Sequence, residues 1–347
     1  VHAACVADYR ARAGCVCGGP DKLPLERSGG ALRCRCCGGV YPVEVNHLDL
    51  LPRAGVGQLS RYAEHEFHER LGVSDAPPVL SARVKADMMR LMLAPSPGET
   101  LLDLGCGAGK LALFAGPPGT RAAGVDVAPF FLPRAEREVD LVLGDLRRLP
   151  FRKGAFPRAY SLDVLEHLDE DGLRQALVEA RRTLGAGGRL FVYTHAMESS
   201  RLALFQRFVN RLARRLGERG WIDHEREALR KSDHRNAIRS HEHFDEMCAE
   251  AGLGVVERRY YNVVFKAVVE DLLFRLYQGG PRRARRAEAG SGREPCARSP
   301  GRLALAAATA LTWILKLDVV LFGGIRTGPF FGLLVPTRPD ASPQATP

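Results

Sequence analysis

Four carboxylates stand where short apolar runs give way to turns: Asp103 in LLDLGCGAGK, Asp126 in GVDVAP, Asp145 in LVLGDLRRLPF and Asp163 in AYSLDVLEHL. The first is followed by glycines at 105, 107 and 109. A glycine turn after a strand commonly holds a phosphate, but this one has the wrong chemistry for that. Dinucleotide binding needs a glycine where Lys110 stands, and a P-loop needs Ser or Thr where Leu111 stands. Asp103, just before the turn, would repel a pyrophosphate and suits a cation.

A ligand that joins an amino group and a sulfonium to a ribose and an adenine answers all these positions. Asp103 would lie near the ammonium, directly or through water. Gly105 and Gly107, with Cys106 between them, offer bare backbone for close approach. A helix opening after Gly109 would favour the ligand's carboxylate. Asp126, with Val127 beside it, suits ribose hydroxyls. Asp145 can accept from an adenine amino group alongside the Leu146 backbone. Asp163 either meets the ligand or orients its own loop.

The elements that must position these groups alternate about every twenty residues. Strands are expected at 100–104, 121–127, 141–144, 159–163, 189–194, 254–261 and, returning antiparallel, 330–335. Helices are expected at 109–114, at 173–184 with GAGG closing it, and at 241–251. Such alternation builds a doubly wound, largely parallel sheet, with its ligand outside the carboxyl ends of the strands.

LLDLGCGAGK, GVDVAP, LVLGDLRRLPF, AYSLDVLEHL and LGAGGRLFVY, in that order, resemble the successive motifs of class I S-adenosylmethionine-dependent methyltransferases across roughly residues 81–265. The resemblance implies a Rossmann-like α/β fold with a seven-stranded, mostly parallel sheet. It implies S-adenosyl-L-methionine as methyl donor, held by Asp103, Gly105, Cys106, Gly107, Gly109, Asp126, Val127, Asp145, Leu146 and Asp163. Methyl transfer from sulfonium is an in-line displacement that needs alignment and exclusion of water. A base is needed only where the acceptor carries a proton. His167 is the first candidate for that role, and His195 the second. Glu166 with His167 is a weaker candidate for a divalent metal, a dipeptide shared with some quinone O-methyltransferases.

Six of the nine cysteines precede residue 40. LRCRCCGGVYPVEVNHLDLLP resembles the second half of a small zinc ribbon, its knuckle at Cys34 and Cys37. The first knuckle, Cys15 and Cys17, is one residue short of the usual spacing. The expected structural Zn2+ site is therefore Cys15, Cys17, Cys34 and Cys37, with Cys5 and Cys36 as alternatives.

The 347 residues and a formal net charge of +10 divide into a ribbon-like segment at 1–52, a helical connector at 53–80, a methyltransferase domain at 81–338 and a disordered tail at 339–347. The domain carries a basic insertion at 198–240 and a helical one at 266–325. With no apolar run behind basic residues at the start, and no 18-residue apolar stretch, the reading is cytoplasmic. In the basic insertion, Leu202, Phe205, Phe208, Val209 and Leu212 recur at helical spacing, with Arg207, Arg211, Arg214 and Arg215 on or near the other face. That pattern suits a lid or a peripheral contact with an anionic membrane. RKSDHRNAIRSHEHF resembles an acceptor-side loop, with His234 and Arg239 as lining candidates. The apolar insertion favours a small hydrophobic acceptor: quinone-type, lipid-like or a secondary metabolite, methylated on oxygen or carbon. An RNA methyltransferase and a non-catalytic binding module are the alternatives.

Overall fold

The computed structural model describes residues 25–29, 31–35, 38–42, 47–51, 75–219, 235, 237–270 and 302–337. The connector expected at 53–80 lies outside them up to residue 74, as does the tail from residue 338.

Three short strands, β1 (Glu26–Ser28), β2 (Ala31–Arg33) and β3 (Val40–Pro42), pair antiparallel in one small sheet. The next strand, β4 (His47–Asp49), joins the main sheet instead. After helix α1 (Leu80–Leu93) come β5 (Thr100–Leu104), β6 (Arg121–Asp126), α2 (Pro133–Glu138), β7 (Asp140–Leu143), β8 (Phe156–Leu162), α3 (Glu170–Thr183) and β9 (Leu184–His195). Then follow α4 (Ala203–Glu218), α5 (His241–Glu250), β10 (Leu253–Tyr260), α6 (Val264–Val268), α7 (Arg302–Phe322) and β11 (Pro329–Pro336).

The main sheet runs β10-β11-β9-β8-β5-β6-β7-β4. All pairs from β9 to β4 are parallel, and β11 is antiparallel to both neighbours. It has eight strands where seven were expected. The additional strand is β4, whose Leu48 is buried while Leu50 N–H donates to Leu143 O at 2.9 Å. Without it β7 would present an unpaired aliphatic edge. The central strand β5 is buried at every position, as a parallel strand covered on both faces must be.

One face of the sheet packs against α3 and α5 through Leu173, Leu177, Phe244 and Met247; Leu32, Cys34, Leu48 and Leu50 share that core. The other carries α1 and α7 through Val84, Met89, Leu93, Ala308 and Leu315. Helix α7 is fixed by two polar contacts: Leu80 N–H donates to Thr312 Oγ1 at 2.9 Å, and Asp318 accepts from Phe265 and Lys266 N–H. Among the described residues no helix is long and apolar enough to cross a membrane.

Two local expectations change. The helix expected at 109–114 is only a single 3-10 turn, Ala112–Phe114. Gly116, Pro117, Pro118 and Gly119 follow at once and cannot continue a helix. GAGG does not close α3 either. That helix stops at Thr183, Leu184 is already extended, and the glycines lie within β9. Its start is well specified: Asp169 accepts from Gly172 N–H at 2.8 Å, with Glu170 and Asp171 in the first turn.

Candidate functional site

The carboxyl ends of β5, β6, β7 and β8 open into one cleft. Its wall includes Gly105, Gly107, Asp126, Val127, Asp145, Leu146, Asp163 and His167, all foreseen from the sequence. Asp103, Cys106 and Gly109 are not part of that wall. Cys106 and Gly109 pack behind it: Cys106 is buried in a small cluster with Ala135 and Leu141, and a Cβ on Gly109 would come within 2.7 Å of Ala135.

The glycine turn holds its shape through backbone geometry. Gly105, Gly107 and Gly109 all have positive φ, at 81°, 53° and 76°. The N–H groups of Gly105 and Cys106 both donate to Val125 O, which ties the turn to the neighbouring strand. A Cβ on Gly105 would fall 2.5 Å from Val164, whereas one on Gly107 would meet nothing within 4 Å. Gly107 is therefore bare backbone bordering open space. Its N–H donates to Asp126 Oδ2 at 2.7 Å, and Ala128 N–H donates to Oδ1 at 3.0 Å. The Asp126 carboxylate is thus aimed by two backbone donors.

Each of the other acids has a partner that sequence reasoning missed. Asp103 is 3% exposed, and Tyr160 Oη donates to its Oδ2 at 2.9 Å. Burial lifts Asp103 to about 8 against the pull of Tyr160, with Asp126 adding to the rise. Burial also pushes the Tyr160 phenol well above its ordinary range, so it stays a neutral donor. Asp145 takes a forked bond from Arg147, at 3.0 and 2.7 Å, as well as the Arg147 N–H. Asp163 accepts from Lys85 Nζ at 2.7 and 2.6 Å, and that ammonium also sits 4.2 Å above the Tyr193 ring. Asp163 adopts a left-handed backbone (φ 56°), uncommon outside glycine and concentrated at functional turns.

Behind the cleft lies a second polar group. Glu166 is 2% exposed; Thr194 Oγ1 donates to its Oε2 at 3.0 Å, and His195 Nδ1 lies 3.3 Å from its Oε1. Burial alone would raise Glu166, yet the His195 imidazole and its own backbone hydrogen bond hold it well below the ordinary carboxylate range. Arg235 lines the cleft and donates its N–H to Glu166 O at 2.8 Å. Asp163, Glu166 and His195 bring ligand atoms within 4.8 Å of one another, but Lys85 already neutralises Asp163. Arg239, expected at the acceptor side, is exposed and pairs with Glu170 instead. His234 lies outside the described residues.

Of the four expected zinc ligands only Cys34 is described. It is 1% exposed at the end of β2, in a turn where its N–H donates to Gly39 O and its carbonyl accepts from Gly38. Its side chain packs in the core with Leu32, Leu48 and Leu50. Cys15, Cys17 and Cys37 lie outside the described residues.

The cleft therefore offers an aimed carboxylate beside bare backbone, with a buried acid behind its wall that a nearby positive charge would ionise.

Residues 102–192 match the family described as "Methyltransferase domain". Curated proteins are similar over part of the chain. An uncharacterised 37.1 kDa protein of a Streptomyces fradiae transposon is 36% identical over 137 residues, 37% of each chain. A probable tRNA methyltransferase 9B of Bos taurus is 30% identical over 145 residues, 41% of this chain and 31% of that one. An O-methyltransferase, resE, of Aspergillus sclerotiorum is 31% identical over 110 residues, 29% of this chain and 41% of that one. The chain thus spans well under half the length of these relatives, and their named acceptors differ. The segment from β5 to β9, which builds the cleft, is the part of this chain that matches a methyltransferase domain.

Proposed function

We propose that the chain is an S-adenosyl-L-methionine-dependent methyltransferase whose acceptor is small and hydrophobic: quinone-type, lipid-like or a secondary metabolite, methylated on oxygen or carbon. The observation that carries this reading is the Asp126 carboxylate, held by Gly107 and Ala128 N–H groups at the edge of an open glycine turn. In it, Asp126 binds the ribose, Asp145 and Leu146 border the adenine, and Gly105 and Gly107 let the donor's methionine part lie against backbone. Asp103 acts from behind the wall, through its charge. Asp163 positions the loop through Lys85 and leaves the acceptor side to Leu162, Val164 and Leu168.

For a phenol or enol acceptor, His167 lines the cleft and is the base we assign; His195, beside buried Glu166, lies behind it. A structural zinc held by Cys15, Cys17, Cys34 and Cys37 would staple the N-terminal segment and take no part in transfer.

The second reading, methylation of RNA, is favoured by the relative named as a tRNA methyltransferase and by the net charge of +10. One experiment separates the readings. The protein is incubated with methyl-labelled donor and cell extract, and the extract is partitioned. Label in the organic phase supports the hydrophobic acceptor; label in RNA supports the second reading; no transfer despite donor binding supports a binding module. In the same assay His167→Ala is expected to lower turnover about a hundredfold or more with donor affinity unchanged. A comparable loss in His195→Ala alone would reverse the assignment.

A further inference from the structure

Helix α4 has an unusual cross-section. Leu204 is 73% exposed, Phe208 67%, Phe205 43% and Leu212 39%. At 3.6 residues per turn these four fall within an arc of roughly 100°. On one side the strip is bordered by Val209 and Ala213, both buried; α4 packs against α6. On the other side run Arg207, Arg211 and Arg214, and Arg215 follows the strip at its C-terminal end, all exposed. Among the described residues Arg211, Arg214 and Arg215 have no carboxylate partner. No residue of α4 lines the cleft, so the strip is not the inner face of a lid.

A second apolar strip adjoins it. Helix α7 exposes Trp313, Ile314, Leu317, Val320 and Leu321 along one face. Asn262 joins the two helices: its side chain accepts from Ser200 Oγ, just before α4, and donates to Phe322 O and Ile325 O at the end of α7. The first turn of α4 and the last turn of α7 are therefore neighbours, and both carry exposed aliphatic side chains there.

We infer that α4, together with the end of α7, is a docking surface for an anionic lipid bilayer. The phenylalanines and leucines enter the boundary between headgroups and acyl chains. The arginine row stays at its rim and pairs with lipid phosphates. Charge decides the occupant. A second copy meeting this strip symmetrically would bring two arginine rows together. RNA would match the arginines but leave two strips of aliphatic side chains in water. A bilayer with acidic headgroups satisfies both halves of the pattern. The inference stands independently of the methyl-transfer reading.

The test uses the full chain and sedimentation with phosphatidylcholine vesicles, with and without phosphatidylserine. The protein is expected to bind the phosphatidylserine vesicles, and less so as salt rises. Phe205→Ser with Phe208→Ser, and separately Arg211→Glu with Arg215→Glu, should each weaken binding about tenfold or more. Leu91→Ser, an equally exposed site on α1, should leave it unchanged. Because all these side chains are exposed, each variant should melt with the parent. Absence of vesicle binding, equal binding to both vesicle types, or indifference to both pairs would overturn the inference. So would self-association that the phenylalanine pair abolishes, or RNA displacing the vesicles at the arginine row.

Discussion

Asp103 sets two demands against each other. With its folded-state value lifted to about 8, it keeps its proton at pH values where the unfolded chain has lost it. Stability is thus fullest at low pH and falls as pH rises from about 4 to about 8. Asp103→Asn removes that loss while leaving an oxygen for Tyr160 Oη. The variant should melt above the parent at pH 9, by on the order of 2–4 °C, and match it near pH 4. A cationic donor reverses the preference and draws Asp103 into its charged form. Donor binding to the parent should therefore release a proton near pH 7, read by calorimetry in buffers of differing ionisation enthalpy, and the Asn variant should release none. The four acids were legible in the sequence because each ends an apolar run. Their partners were not: Tyr160 is 57 residues from Asp103 and Lys85 is 78 from Asp163, so only the assembled sheet brings them together. The left-handed backbone at Asp163 leaves no mark in composition at all.

At the scale of elements, the glycine turn separates folding from binding. Gly105→Ala forces a Cβ to within 2.5 Å of Val164 in a left-handed conformation. It should cost about 2–4 kcal/mol and lower the melting temperature clearly. Gly107→Ala meets no neighbour within 4 Å and pays only the backbone cost, about 1 kcal/mol, but narrows the donor's approach. It should melt close to the parent and bind donor at least tenfold more weakly. If the two variants behave alike in both measurements, the turn is structural only. Strand positions were readable because buried parallel strands are short, continuous apolar runs. Element ends were less so. The Gly-Pro-Pro-Gly that follows cuts the expected 109–114 helix to one turn, and GAGG reads as a helix stop although its glycines lie within β9, beside a shift in register with β8.

Over the whole molecule, the cysteine-rich start and the α/β domain share one core. Leu48 and Leu50 enter it beside Val142, and β4 closes the edge that β7 would otherwise expose. Removing residues 1–51 should therefore produce a chain that aggregates on purification and unfolds at lower temperature. A soluble fragment of unchanged melting temperature would show that β4 only decorates the sheet. The sequence signalled a separate ribbon because HLDLL matches such a segment's hydrophobic end; nothing local says that its strand will pair some ninety residues away.

The account rests on a donor held through Asp126, and isothermal calorimetry tests that directly. The parent should bind S-adenosyl-L-methionine and its demethylated product. Asp126→Ala should lose about a hundredfold in affinity for both, as two charge-assisted hydrogen bonds of about 1.5 kcal/mol each would give. No measurable binding by the parent, or equal affinity in parent and variant, would contradict it.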